Sequence, residues 1–174
     1  FNMYHHYTVD EHLIRAVGDV AEIERGTHKE DHPLSSDIVK RIQSREVLYC
    51  AILLHDMAKG LPGDHSDVGA AIATSLCPRL GLSANDTAAV AWLVKNHLVM
   101  SQIAQKEDLS DPEVIAAFAR LVGDARHLAA LYLLTHADIR GTSPKVWNQW
   151  KGKLLADLYY QTLHHLLQGE APPA

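Results

Sequence analysis

The feature that most constrains this fold is a recurring helix-start signal, a short polar residue followed by apolar residues at helical spacing. Thr8-Val9-Asp10-Glu11 has the pattern of a capping box, and Asp64, Ser83 and Asp111 open later segments in a similar way. Pro112 follows Asp111 at the first helical position, where a helix tolerates proline. No segment alternates apolar and polar residues over the length of a strand. The sequence therefore predicts an all-α fold, a bundle of about seven helices.

The same signals predict where the helices begin and end. An apolar helix is expected from about Arg45 to Lys59, and residues 60–63 should end it because they contain two glycines and a proline. A polar loop is expected from Gly26 to Ser36, followed by a short helix from about Asp37 to Arg41. The remaining expected helices run from Asp64 onward, from Ser83 to at least His97, from Pro112 to Gly123, from Asp124 through Asp138, and onward from Ser143-Pro144.

Length and composition fit one soluble domain. The chain has 174 residues, of which 47% are hydrophobic and 21% charged, and its formal net charge of −5 argues against a nonspecific nucleic-acid binder. Cys50 and Cys77 lie in apolar helical patterns, which favours reduced thiols and a cytoplasmic location. No apolar run reaches the roughly 18 residues that span a bilayer, so no membrane partner is expected. We expect a domain at 1–168 and a linker or tail at 169–174.

His55 and Asp56 directly follow the apolar run from Val47 to Leu54. Buried polar groups are costly unless they are satisfied, and a divalent metal can satisfy an imidazole and a carboxylate together. Two further ligands are available from other predicted helices, His12 near the start of the chain and Asp138. These four residues are predicted to hold one divalent ion.

Asp138 alone has a simpler interpretation. It could cap the turn at Gly141 or pair with Arg140, and the sequence leaves this alternative open.

His65 and His97 are candidates for binding a second metal, with Asp56 as the carboxylate that bridges the two ions. Each lies early or late on a helix that flanks the same predicted pocket. The alternative is a supporting role, in which they hydrogen-bond to a metal ligand or contact a substrate phosphate.

Lys59 and Asp56 are the candidate catalytic residues. Lys59 follows His55 by four residues, so it should project from the same side of the helix and could contact a phosphate oxygen. An ordinary solvated lysine at a helix C-terminus is the alternative.

These residues resemble the HD superfamily of metal-dependent phosphohydrolases. Within it, the chain is similar to the HD domain of bacterial bifunctional uridylyltransferase/uridylyl-removing enzymes, and the similarity covers nearly its whole length. The segments that carry it are Phe1–His12, Leu53–Gly60, Gly63–Ser66, His97–Ser101, Ala137–Thr142 and Trp147–Lys151.

The resemblance implies a metal-dependent hydrolase that removes UMP from a tyrosine of the PII nitrogen signal protein. It also implies one or two divalent ions, with Mn²⁺ favoured and Mg²⁺, Fe²⁺ or Zn²⁺ compatible with nitrogen and oxygen ligands. In that family a transferase domain adds the UMP and ACT domains sense glutamine. We find no sequence pattern for either of those domains in this chain.

The chain departs from the family pattern in two places. Leu61-Pro62 stands where Arg-Gly is expected, which removes a positive charge beside the expected phosphate pocket. His136 replaces a residue that is usually apolar. Two other functions stay open: a stand-alone HD nucleotide phosphohydrolase, and a regulatory HD module that binds a nucleotide without turning it over.

Overall fold

The fold is known from a computed structural model that describes Ala16, Arg25 and residues 19–23, 33–38, 44–59, 61–142 and 149–170. All regular structure in these ranges is helical, which confirms the predicted all-α class. Residues 19–23 belong to a helix near the start of the chain. The eight helices that follow within the described ranges are α1 (Pro33–Ile38), α2 (Arg45–Leu54), α3 (His65–Arg79), α4 (Ala84–Lys95), α5 (Val99–Lys106), α6 (Pro112–Val122), α7 (Ala125–Thr142) and α8 (Gln149–Glu170).

Several predicted helix boundaries are confirmed. The side chains of Asp64, Ser83 and Asp111 cap the first turns of α3, α4 and α6, where each accepts a hydrogen bond from a backbone N–H. Gly123 follows α6 with a φ of 80°, a left-handed conformation that favours glycine.

The apolar helix α2 ends at Leu54, and the prediction that it reaches Lys59 was wrong. The His55 N–H still donates to the carbonyl of Ala51, as an α-helical residue would. The N–H groups of Met57 and Lys59 instead donate to carbonyls three residues back. The α-helical hydrogen-bond pattern therefore gives way to tighter turns at His55 and Asp56, the two adjacent predicted metal ligands.

Two other boundaries differ from the prediction. The helix α1 begins at Pro33, within the expected loop, because the fixed φ of proline suits the first helical position. The helix α4 ends at Lys95, so that His97 lies in the turn before α5. The predicted capping box at residues 8–11, residues 39–41 and the Ser143-Pro144 helix start lie outside the described residues.

The helix α7 forms the centre of the core. All residues from Leu131 to Ala137 are buried, as expected for a helix surrounded by other helices. It packs against α2, α4, α5, α6 and α8, and also against α1. His55, directly after α2, lies 3.1 Å from Asp138, so the end of α2 lies beside the last turns of the central helix.

Among the described helices, α3 and α4 form the most extensive pair, and Gly69 permits their close approach. A Cβ at this position would lie 2.9 Å from Val94 Cγ1, closer than real contacts allow. Gly69 lies one turn after His65 in α3, while Val94 is near the end of α4. The glycine therefore brings the start of α3 close to the turn that carries His97.

The helix α8 extends to Glu170, two residues into the segment expected as a linker. Among the described residues, no helix combines the length and apolar character needed to cross a membrane.

Candidate metal centre

Three side chains predicted to bind the first metal converge beyond the end of α2. His55 Nε2 lies 3.2 Å from Asp56 Oδ2 and 3.1 Å from Asp138 Oδ1. His55 and Asp56 are buried, whereas Asp138 is partly exposed, with a side chain 18% accessible. One ligand atom from each residue fits within a group no wider than 4.8 Å. Side chains far apart in sequence thus offer nitrogen and oxygen atoms to a common point.

A backbone contact orients the His55 ring. His55 Nδ1 donates a hydrogen bond to the Ile52 carbonyl at 2.5 Å, because a carbonyl oxygen can only accept. The other ring nitrogen, Nε2, therefore faces the two carboxylates. This arrangement is typical of metal-binding histidines, in which one nitrogen is fixed by a hydrogen bond and the other binds the ion.

The charge balance of this cluster suits a cation. Burial lowers the pKa of His55, but the carboxylates of Asp138 and Asp56 outweigh that effect and raise the pKa to about 10. The two carboxylates thus favour positive charge at this point. A divalent cation would neutralise both of them. The donor set present therefore fits a divalent metal.

A second group shares Asp56 with the first and adds His65 and His97. The Nε2 atoms of the two histidines lie 3.4 Å apart. His97 is buried, and its Nδ1 donates to the Val94 carbonyl at 2.6 Å, so its Nε2 points towards the group. Burial lowers the pKa of His97, and the nearby His55 lowers it further, which favours the neutral, metal-binding form.

The two groups are contiguous. The rings of His55 and His97 meet edge to face with centroids 5.2 Å apart, and the same distance separates the rings of His97 and His65. Asp56 belongs to both groups, the position expected of a bridging carboxylate.

Lys59 also contacts the cluster. Its Nζ lies 3.6 Å from Asp56 Oδ1, and its side chain is 21% exposed. The lysine is therefore held beside the candidate metal ligands and reaches solvent, rather than extending freely from the helix end. Its positive charge lies next to a carboxylate of the cluster.

The remaining predicted residue, His12, lies outside the described residues. Arg140 was the alternative partner considered for Asp138, but its Nη1 lies 2.8 Å from Asp19 Oδ1.

Sequence reasoning missed Asp19, although an acidic residue beside Val20 in an apolar helical pattern was a signal. It also left His136 without a partner, whereas His136 Nδ1 lies 3.1 Å from Asp19.

A cavity of about 570 Å³ lies towards the N-terminal ends of α2, α4 and α7, away from the candidate metal ligands. Its lining includes Ser44, Trp92, Asp124 and His127, and none of the candidate metal ligands. The cavity is therefore separate from the metal centre.

A family model described as the HD domain matches residues 9–131. A bifunctional uridylyltransferase/uridylyl-removing enzyme of Novosphingobium aromaticivorans is 58% identical over 91% of this chain and 17% of its own length. Proteins with the same name from Rhodopseudomonas palustris and Burkholderia lata are 56% and 51% identical over 93% and 99% of this chain. These alignments cover 18% and 20% of those relatives, so the chain spans about a fifth of their length or less.

Proposed function

This chain belongs to the HD domain family, and from that premise we propose that it hydrolyses a phosphodiester bond, removing UMP from a uridylylated tyrosine of a PII-type protein. Its relatives are named as uridylyl-removing enzymes, which supports the reaction type. The observation that carries the proposal is the two groups of acidic and histidine side chains that share Asp56, each with two buried members. Such a grouping is costly to bury without a cation.

His12, His55, Asp56 and Asp138 would hold the first divalent ion. His65 and His97 would hold a second, with Asp56 bridging the two. Mn²⁺ is the proposed metal, and Mg²⁺, Fe²⁺ and Zn²⁺ are compatible with the same nitrogen and oxygen donors. When bound, the metal would activate a water and stabilise negative charge on the phosphoryl oxygens.

The residues of the chain itself would orient and stabilise the substrate. Lys59 would contact a phosphate oxygen with its ammonium group, which lies 3.6 Å from Asp56 at the edge of the cluster. The buried positions of His55 and His97 exclude bulk water from the inner side of the site and strengthen these electrostatic contacts. Tyrosinate is a fair leaving group, so the reaction does not require a strong general acid.

The direct test incubates uridylylated PII with the purified chain and Mn²⁺ and measures the released UMP by chromatography. His55→Ala and Asp56→Ala should abolish release while circular dichroism still reports a helical protein. His164→Ala is a matched control, because His164 is exposed on α8 and hydrogen-bonds to Gln168. Retained turnover in either site variant, with added metal verified, would contradict the assignment.

A substrate panel separates this proposal from the two other functions. Turnover of free nucleotides or cyclic dinucleotides without turnover of uridylylated PII would favour a stand-alone phosphohydrolase. Nucleotide binding without any hydrolysis in the presence of metal would favour a regulatory module. The proposed substrate, a bacterial signal protein, agrees with a cytoplasmic location.

A further inference from the structure

A buried carboxylate connects the N-terminal part of the fold to the helix that carries Asp138. Asp19 Oδ2 lies 3.1 Å from His136 Nδ1, and Asp19 Oδ1 lies 2.8 Å from Arg140 Nη1. The Asp19 side chain is 7% exposed and His136 is fully buried. One carboxylate therefore contacts two nitrogen-bearing side chains of α7 at once.

The three residues on α7 project from two sides of the helix. His136 and Arg140 are four residues apart, so they share one face. Asp138 lies two residues from each, about 200° around the helix axis from His136, and faces His55 instead. Any rotation of α7 about its axis would alter both sets of contacts together.

The contacts of Asp19 resist such a rotation. A largely buried carboxylate is expensive to separate from a guanidinium 2.8 Å away, so turning or sliding α7 would break the ion pair of Asp19 with Arg140 and move His136 away from the same carboxylate.

We propose that Asp19 is a positioning residue for the metal centre. Its contacts with His136 and Arg140 fix the rotation of α7 at which Asp138 meets His55. The proposal rests on the proposed function only in treating His55, Asp56 and Asp138 as metal ligands. It assigns no contact between Asp19 and the substrate or the metal.

The first test needs neither metal nor activity. Asp19→Asn has nearly the same shape but removes the negative charge. In a crystal structure of the metal-free variant, the distance between His55 Nε2 and Asp138 Oδ1 should increase from 3.1 Å. An unchanged distance would overturn the proposal, whether or not the protein proves to be a hydrolase.

The second test measures Mn²⁺ affinity by calorimetry. Loss of a residue that orients metal ligands typically weakens affinity about 10- to 100-fold, and we expect a loss in this range for Asp19→Asn. Arg140→Lys retains a positive charge and should lose less affinity than Arg140→Gln. Arg140 is only partly buried, so these variants remain informative if Asp19→Asn does not fold.

Asp124→Asn is the matched control. Asp124 also contacts a histidine of α7, since its Oδ1 lies 2.8 Å from His127 Nδ1, but this pair is at the opposite end of the helix from Asp138. Thermal unfolding of both variants gives the loss of stability. Asp19→Asn should weaken Mn²⁺ binding beyond any change in Asp124→Asn.

Equal Mn²⁺ affinities in wild type, Asp19→Asn and Asp124→Asn would reduce Asp19 to a structural residue and refute its positioning role. Wild-type Mn²⁺ binding without hydrolysis of any phosphodiester would refute the proposed function. That second result leaves the positioning of the metal ligands intact, so the two failures are distinguishable.

Discussion

His65 and His97 approach each other to 3.4 Å between their Nε2 atoms, although one begins α3 and the other follows α4. The approach depends on the packing of Gly69, one turn along α3, against Val94 near the end of α4. A hydrogen atom in place of a side chain at residue 69 thus determines how closely two candidate metal ligands can lie.

Gly69→Ala should move α3 and α4 apart and lower the affinity for the second metal ion. The added methyl group would lie 2.9 Å from Val94 Cγ1, in a site where Val94 is fully buried and cannot readily move. Overpacking of this kind costs about 1–3 kcal/mol, more than the gain of up to about 1 kcal/mol from the better helix propensity of alanine. Urea unfolding measures the first effect, and calorimetric titration with Mn²⁺ measures the second.

A double-mutant cycle isolates this contact. Val94→Ala removes the opposing methyl groups, so Gly69→Ala should cost less stability in that background than in wild type. Ser75→Ala, at an exposed position of α3, controls for a change in helix propensity alone. Additive effects of Gly69→Ala and Val94→Ala would mean that the glycine does not control the approach.

Metal stoichiometry should distinguish the shared ligand from the unshared ones. Asp56 belongs to both groups, whereas Asp138 belongs to the first and His97 to the second. We expect Asp138→Asn and His97→Ala each to weaken one of two binding events, and Asp56→Asn to weaken both. Calorimetry with elemental analysis of the dialysed protein gives the number of ions bound.

The three variants serve as mutual controls, and circular dichroism verifies that each remains helical. Loss of only one event in Asp56→Asn would contradict a bridging role. If the wild type shows a single metal-binding event and this event survives in His97→Ala, His65 and His97 do not bind a second ion and have the alternative supporting role.

Lys59→Ala should reduce turnover without removing metal. Its ammonium group is held beside Asp56 and would stabilise charge on the phosphate in the transition state. Removal of one such electrostatic contact typically lowers kcat about 100-fold. Steady-state kinetics with uridylylated PII at saturating Mn²⁺ measures the effect, and Lys59→Arg should retain more activity because it retains the charge.

The exposed Lys95, at the end of α4, provides the control variant Lys95→Ala. An unchanged kcat in Lys59→Ala would assign Lys59 the alternative role of a solvated lysine. A loss of bound metal in Lys59→Ala would instead assign it to the support of Asp56.

Local chemistry explains which parts of the fold the sequence could predict. Asp64, Ser83 and Asp111 cap helices through bonds to residues two or three positions away, so their effect is visible in a short segment. The end of α2 at Leu54 was missed because the residues after it remain apolar or helix-compatible, while the turns there carry the buried His55 and Asp56. Tertiary interactions override local preference at such positions.

The convergence of the site was only partly predictable. His55 and Asp56 are adjacent in sequence and end an apolar run, which marked them as candidates without any tertiary information. The contact of His65 with His97 depends on helix packing at Gly69, and the contact of Asp19 with α7 joins residues more than a hundred positions apart. No periodicity within one segment encodes either contact.

The stability of the N-terminal end of α7 should depend on pH through Asp124. Partial burial raises the pKa of Asp124, but hydrogen bonds from the backbone and side chain of His127 outweigh that effect and hold it below its usual value. A carboxyl group whose pKa is lower in the folded state stabilises the protein above its unfolded pKa of about 3.9. That contribution is lost as the pH falls through the folded pKa.

Asp124→Asn keeps a residue type able to cap a helix but loses the titrating charge. Its Tm should therefore lie below that of the wild type at pH 6, and the difference should shrink as the pH falls below about 4. Thermal unfolding followed by circular dichroism at several pH values measures both proteins. Asp108→Asn is a useful comparison, because hydrogen bonds from Ser110 also lower the pKa of Asp108 but its carboxylate is exposed. A constant difference between wild type and Asp124→Asn across this pH range would show that the charge of Asp124 does not stabilise α7.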